Sequence, residues 1–129
     1  MNEDFVSFEI AKKLKEKGFN EGCYKYYENK ELKWSNSPWL ETQYNSYMPH
    51  IIAAPTISQV LKWLREEKKI HIEIFLYDGK YSYLVKSITQ ICEDDLFHKC
   101  LNEDTVDEEY QFYEKAALAG IEYVLDNLI

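Results

Sequence analysis

The sequence predicts an α+β fold: three helices packed on a small, mostly antiparallel sheet, in the order α-ββ-α-ββ-α. Three observations predict it. Alternating apolar residues run into Asp78-Gly79 and out again, which is the pattern of a hairpin. Apolar residues at helical spacing stand on either side of that hairpin, over 57–64 and 110–128. A third helical pattern opens the chain and stops at Gly18.

Taken in order, Ser7 reads as an N-cap, with Ile10, Ala11 and Leu14 as the apolar stripe of a helix over about residues 8–17. Gly18 stands at the C′ position, and Phe19 is placed to fold back on Leu14. Lysines 12, 13, 15 and 17 take the wet side, and the later ones suit the negative end of the helix dipole. Between Cys23 and Ser35, two aromatic-rich arms flank the polar ENKE, predicting a first hairpin. Residues 36–55 contain Pro38 and Pro49, end at Pro55 and show no period, so they are expected to form a packed loop.

Thr56-x-x-Gln59 is a capping box, and Ile57, Val60, Leu61 and Leu64 follow at i, i+3, i+4 and i+7. The period then changes to two. Ile70, Ile72, Ile74 and Leu76 alternate with His71, Glu73, Phe75 and Tyr77. A two-residue turn at Asp78-Gly79 sets Leu76 opposite Tyr81, Ile74 opposite Tyr83 and Ile72 opposite Val85. The sheet is therefore expected from segments 24–34 and 70–88. Thr105-x-x-Glu108 reads as a second capping box opening a long terminal helix lined by Tyr110, Tyr113, Ala117, Gly120, Ile121, Val124 and Leu128. Gly120 costs about 1 kcal/mol of helix propensity against alanine, which points to a close approach there.

The 129 residues fit a single α+β domain spanning 1–129. A chain of this size buries roughly two-thirds of its unfolded surface and can hold a core without metals or disulfides. Hydrophobic residues make up 46% and charged residues 29%, in keeping with a water-soluble protein. No apolar run approaches about 18 residues, and the acidic start MNEDFVSFEI lacks the pattern of a signal peptide. Three cysteines, Cys23, Cys92 and Cys100, form no framework spacing, which favours free thiols in the cytoplasm. The net charge of −8 is concentrated: from Glu93 to Ile129 stand 11 acids and two bases. Nonspecific nucleic-acid binding needs clustered Lys and Arg, so neither nucleic acid nor membrane is the expected partner.

SFEIAKKLKEKGF, APTISQVLKWLREEKKIHIEI and YEKAALAGIEYVLDNLI resemble a family of short uncharacterised proteins from gut Bacteroidales genomes, often in prophage or mobile-element neighbourhoods. The resemblance covers both ends and the middle of the chain. It implies an accessory protein of phage or mobile-element origin, and it carries no catalytic residue.

Chemistry-bearing groups are few. His71 and Glu73 share a strand face, so they could hold a metal or pass a proton, but no helical His-Glu-x-x-His or Pro-Cys-x-x-Cys partner accompanies them. Cys92, Asp94, Asp95, His98 and Cys100 are the densest set of potential zinc ligands. Their spacing matches no common site, and His50 or Cys23 would have to complete it. The four glycines, Gly18, Gly22, Gly79 and Gly120, make no phosphate or oxyanion loop. The sequence thus assigns no catalytic, cofactor-binding or metal residue.

The expected function is a non-enzymatic protein–protein interaction module with a protein partner or a second copy of itself, through an aromatic face or sheet edge. Tyrosine is abundant, and Tyr24, Tyr26, Tyr27, Tyr44, Tyr47, Tyr81 and Tyr83 gather in the segments read as sheet and loop. One alternative is an acidic nucleic-acid mimic binding a basic partner through the acids of 93–109. The other is a small hydrolase or metal-dependent enzyme using His71 and Glu73 or the Cys92–Cys100 segment.

Overall fold

Capping chemistry bounds the first helix at both ends. In the computed structural model, which describes residues 4–34, 42–46, 49–88 and 100–129, α1 spans Phe8–Glu16. Ser7 Oγ accepts the Ile10 N–H at 3.3 Å. At the other end Gly18 takes φ +93, the Phe19 N–H donates to the Leu14 carbonyl at 3.0 Å, and the Gly18 N–H donates to Lys15 at 3.2 Å. This pair of bonds is the Schellman ending predicted from the sequence.

The chain divides into two compact units, Met1–Ile57 and Ser58–Ile129. In the first, β1 (Lys25–Glu28) and β2 (Glu31–Trp34) form an antiparallel hairpin with Glu28 opposite Glu31. That register leaves Asn29-Lys30 as the turn, with φ 53 and 66. Two positive values are the mark of a type I′ turn, which matches the twist of the flanking strands.

A third strand, β3 (Ile51–Ala53), pairs antiparallel with the far side of β1 and gives the order β2-β1-β3. The sequence pattern predicts a loop at this place. Three residues are too few for a period, and side chains outside the strand fix its position. Asn45 accepts the Ala53 N–H at 2.8 Å and donates to the Phe19 carbonyl at 2.7 Å, while Lys15 Nζ donates to the Ile51 carbonyl at 2.9 Å. Tyr27, buried on β1, donates its hydroxyl to the Val6 carbonyl at 2.7 Å. Burial, then the charge of Glu9, pushes the Tyr27 pKa upward.

α2 (Ile57–Glu67) begins at the last residue of the first unit, directly after the buried Thr56. Ile57, Val60 and Leu64 are buried as the stripe requires, and Trp63 is buried with them. Two residues then connect to β4 (Ile70–Tyr77), with Lys69 at φ 57 making the reversal. β4 and β5 (Lys80–Ser87) pair in the predicted register, with Leu76, Ile74 and Ile72 opposite Tyr81, Tyr83 and Val85. Asp78 and Gly79 take φ 52 and 76, a second type I′ turn.

Among the described residues the strands thus form two small antiparallel sheets, of three strands and two, where the sequence suggests one. With α1, α2 and the terminal helix α3 (Tyr113–Asn127), the class is α+β.

α3 starts later than its periodicity suggests. Thr105, expected as an N-cap, instead closes successive turns: its N–H bonds the Asn102 carbonyl, and its own carbonyl accepts from Glu108 at 3.0 Å. Tyr110, expected on the helix, exchanges backbone bonds with Tyr81 at 2.7 and 2.8 Å. Those bonds hold it extended, so the helix begins after Phe112.

Candidate functional site

α3 lies directly on the hairpin, and Gly120 sets the distance. A Cβ at that position would stand 2.9 Å from Ile72 Cγ2 and 3.2 Å from the Tyr83 ring. Ile72, Tyr83, Val85, Ala116, Ala117, Ile121 and Val124 are all buried around this contact. Burial runs out toward the turn, where Leu76 and Tyr77 are 61% and 73% exposed. Phe112 and Tyr113, at the start of α3, are also exposed, at 59% and 44%. Tyr81 links the two groups: it stands opposite Leu76 on the hairpin, and its ring meets Tyr113 edge-on at 6.1 Å. Lys80 and Glu109 form a 3.4 Å ion pair at the same end.

The outer edge of β5 is closed by the segment 100–110. Lys86 pairs with Cys100 and Tyr81 with Tyr110, and the Leu101 N–H bonds the Val85 carbonyl at 2.8 Å. Between these pairs the side chain of Asn102 replaces a strand backbone. Its Oδ1 accepts the Val85 N–H at 2.8 Å, and its Nδ2 donates to the Tyr83 carbonyl at 2.9 Å. Asn102 is fully buried. A carboxamide offers the donor and acceptor of a peptide group, so it satisfies both edge groups where water is excluded.

Beside this segment opens a cleft of about 230 Å³, lined by Tyr83, Glu108, Tyr110, Ala119, Glu122, Tyr123, Asp126 and Asn127. Tyr83 stands between two other rings, Tyr110 and Tyr123, each 6.3 Å away and tilted by 38° and 50°. The hydroxyls face acids or acceptors: Tyr110 donates to Glu108 at 2.9 Å, Tyr123 to Asp104 at 2.9 Å, and Tyr83 to Thr105 at 2.7 Å. Each phenol is held in its neutral form. Burial, with the Glu108 hydrogen bond behind it, pushes the Tyr110 pKa up to about 12. Burial raises Tyr83, and the Asp104 hydrogen bond raises Tyr123. Three carboxylates and no Lys or Arg line this cleft among the described residues.

The sequence does hold a signal for the cleft. Ala119, Glu122, Tyr123 and Asp126 fall at i, i+3, i+4 and i+7, a second stripe beside the apolar one. Periodicity alone puts Tyr110 on the helix, and nothing local links Tyr83 to it.

The residues singled out from sequence are scattered. Glu73 is exposed, and its carboxylate is paired with Lys86 at 2.9 Å, while His71 is half-buried opposite Lys86 on the same sheet face. Cys92, Asp94, Asp95 and His98 lie outside the described residues. Cys100 is half-buried and donates its thiol to Asn102 Oδ1 at 3.4 Å. Cys23 is buried in the first unit, where its backbone pairs with Thr42. His50 is exposed, 3.8 Å from Glu28, whose carboxyl Lys33 holds below its ordinary range through a 2.8 Å hydrogen bond. Among the described residues, no three His, Cys, Asp or Glu side chains gather where they could hold a metal ion. No described helix is long and apolar enough to cross a membrane.

Three of the tyrosines gathered from sequence close cores, and Tyr24, Tyr26 and Tyr81 are half-buried. Tyr27, Tyr44 and Tyr83 are buried, and Tyr26 stacks on Tyr44 at 4.7 Å. Tyr47 lies outside the described residues. In the first unit the exposed Trp34 meets Phe5 edge-on at 6.3 Å, and Lys25 Nζ sits 4.1 Å from both ring centres. Such an ammonium between two rings holds the end of β2 by cation–π attraction.

Comparison with protein-family models, curated proteins and solved structures finds nothing that matches the chain.

Proposed function

We propose that the chain is a non-enzymatic protein–protein interaction module, and that its second unit carries the contact surface. The observation that carries this reading is the exposure of Leu76, Phe112 and Tyr113 at one end of the helix-on-hairpin unit, where Tyr81 joins the strand to the helix. Large aromatic and aliphatic side chains grouped in this way are the usual anchors of an interface. Asp107, Glu108, Glu109 and Glu114 stand beside Phe112 in the chain, and all four are exposed. The partner that fits is a protein with an apolar centre and a basic rim. A second copy meeting the same face would bring acid against acid, which weighs against self-association there. A cytoplasmic setting and a phage or mobile-element origin belong to this proposal through the free thiols and the resemblance of the three segments.

A photo-crosslinking residue at position 112 in the native host tests it, followed by affinity measurement on the purified crosslinked pair. One basic partner is expected, with affinity reduced about tenfold or more by Leu76→Ser with Phe112→Ser. Labelling no stronger than from a helix α2 control at position 66, or an affinity the double substitution leaves unchanged, refutes it.

The acidic-mimic reading has its own observation. Glu103, Asp104, Asp107, Glu108 and Glu109 are all exposed along one run of turns. Binding through them would weaken steeply with salt and with neutralisation of the five acids, while the aromatic substitutions would matter little.

A further inference from the structure

β4 has an outer edge that β5 does not use. Tyr77 and Lys80 flank the two-residue turn and form a hydrogen-bonded pair, so Phe75, Glu73 and His71 also turn their peptide groups toward β5. The Lys69 carbonyl continues that series, accepting the Ile88 N–H at 2.8 Å. Ile70, Ile72, Ile74 and Leu76 therefore direct their N–H and C=O groups away from the hairpin, and among the described residues no strand pairs with them. Such an edge is a template for another strand. Charge along it is balanced, unlike the acidic end of the chain: residues 65–86 hold five bases and four acids.

His71 and Glu73 decide which strand fits. They share one face of β4, two residues apart, with Ile72 between them. If a second β4 pairs antiparallel about Ile72, each His71 stands opposite Glu73 of the other copy, twice over by symmetry. Ile72 then meets Ile72, and Ile70 meets Ile74, in the hydrogen-bonded pairs. His71 and Glu73 fall in the non-hydrogen-bonded pairs, where Cα atoms approach to about 4.5 Å. Neighbouring registers lose this match. Centred on Glu73, two carboxylates face each other; centred on Ile74, Glu73 faces Phe75. Glu73 Oε2 accepts Lys86 Nζ at 2.9 Å, and a carboxylate with two oxygens can accept an imidazole N–H as well.

We infer that the chain pairs with a second copy of itself along β4, antiparallel and centred on Ile72. The paired residues, 70–74, exclude Leu76, Phe112 and Tyr113, so this contact is separate from the one at the aromatic end.

Sedimentation of the full chain from about 1 µM to about 1 mM tests this, with amide hydrogen exchange followed over the same range. A monomer–dimer equilibrium is expected, and exchange at Ile72 and Ile74 slows as the dimer forms. His71→Glu and Glu73→Lys change two side chains of the outer face, and each alone is expected to weaken association about tenfold or more. Mixed in equal amounts, the two variants are expected to pair with each other at least as tightly as the wild type. The first then offers carboxylates at both positions to the histidine and lysine of the second. The double variant His71→Glu with Glu73→His restores the match within one chain and is expected to dimerise again. A monomer at every concentration, dimerisation that leaves exchange at Ile72 and Ile74 unchanged, or a mixture that associates no better than either variant alone overturns the inference.

Discussion

At the scale of single residues, Asn102 does the work of a short piece of strand. Its carboxamide meets the Val85 N–H and the Tyr83 carbonyl in a site closed to water. Asn102→Ala leaves both backbone groups without a partner and is expected to cost more than about 2 kcal/mol. Urea unfolding measures this, and a loss within about 0.5 kcal/mol of zero would mean water replaces the side chain. Tyr110 gives the pH counterpart. Its folded-state pKa lies above the ordinary 10.0, at about 12, so the neutral phenol is favoured by folding. The stability it contributes is complete below pH 10 and is lost as pH rises toward 12. Tyr110→Phe is therefore expected to flatten that alkaline decline, measured as the difference in unfolding midpoint across the window.

At the scale of elements, the hairpin and α3 depend on one glycine. Gly120→Ala gains about 1 kcal/mol of helix propensity but pushes a methyl against Ile72 and Tyr83, both buried. Overpacking of this kind costs about 1–3 kcal/mol, so a net loss of about 1 kcal/mol is expected in denaturant unfolding. A gain in stability would show that α3 can ride outward freely.

The elements also show what is legible in sequence. The second hairpin is readable because Asp78-Gly79 fixes its register and its alternation is long. The ending of α1 is readable because Gly18 has one conformational role there. β3 is not, since Ile51–Ala53 is placed by Asn45 and Lys15 and by no pattern of its own. The start of α3 is easily misread because a capping box is only a local option. Thr105 and Tyr110 commit their hydrogen bonds to turns and to β5 instead. The cleft inherits both problems: its tyrosines come from β5, the turns and α3, and only the α3 stripe has a local signature.

At the scale of the whole chain, charge has the widest reach. Over residues 100–129 eight acids stand against one base, and they repel one another in the folded state. Screening relieves this, so raising salt from about 20 mM to about 0.5 M is expected to raise Tm by about 3 °C. A fall in Tm would mean that pairs such as Lys86–Glu73 and Lys33–Glu28 outweigh the repulsion. The same charge favours a basic partner for the proposed surface at the aromatic end.

The closed side of β5 has one more consequence, which concerns growth. A two-stranded sheet with both sides open could add strands without limit and seed a fibre. Here one side is stoppered by Asn102 and its neighbours, and among the described residues no strand pairs with the other side, at β4. A second molecule adding there, β4 to β4, would bring its own stoppered side outward. That assembly would end at two, because the pairing that builds it uses up the one edge of this sheet left unpaired among the described residues.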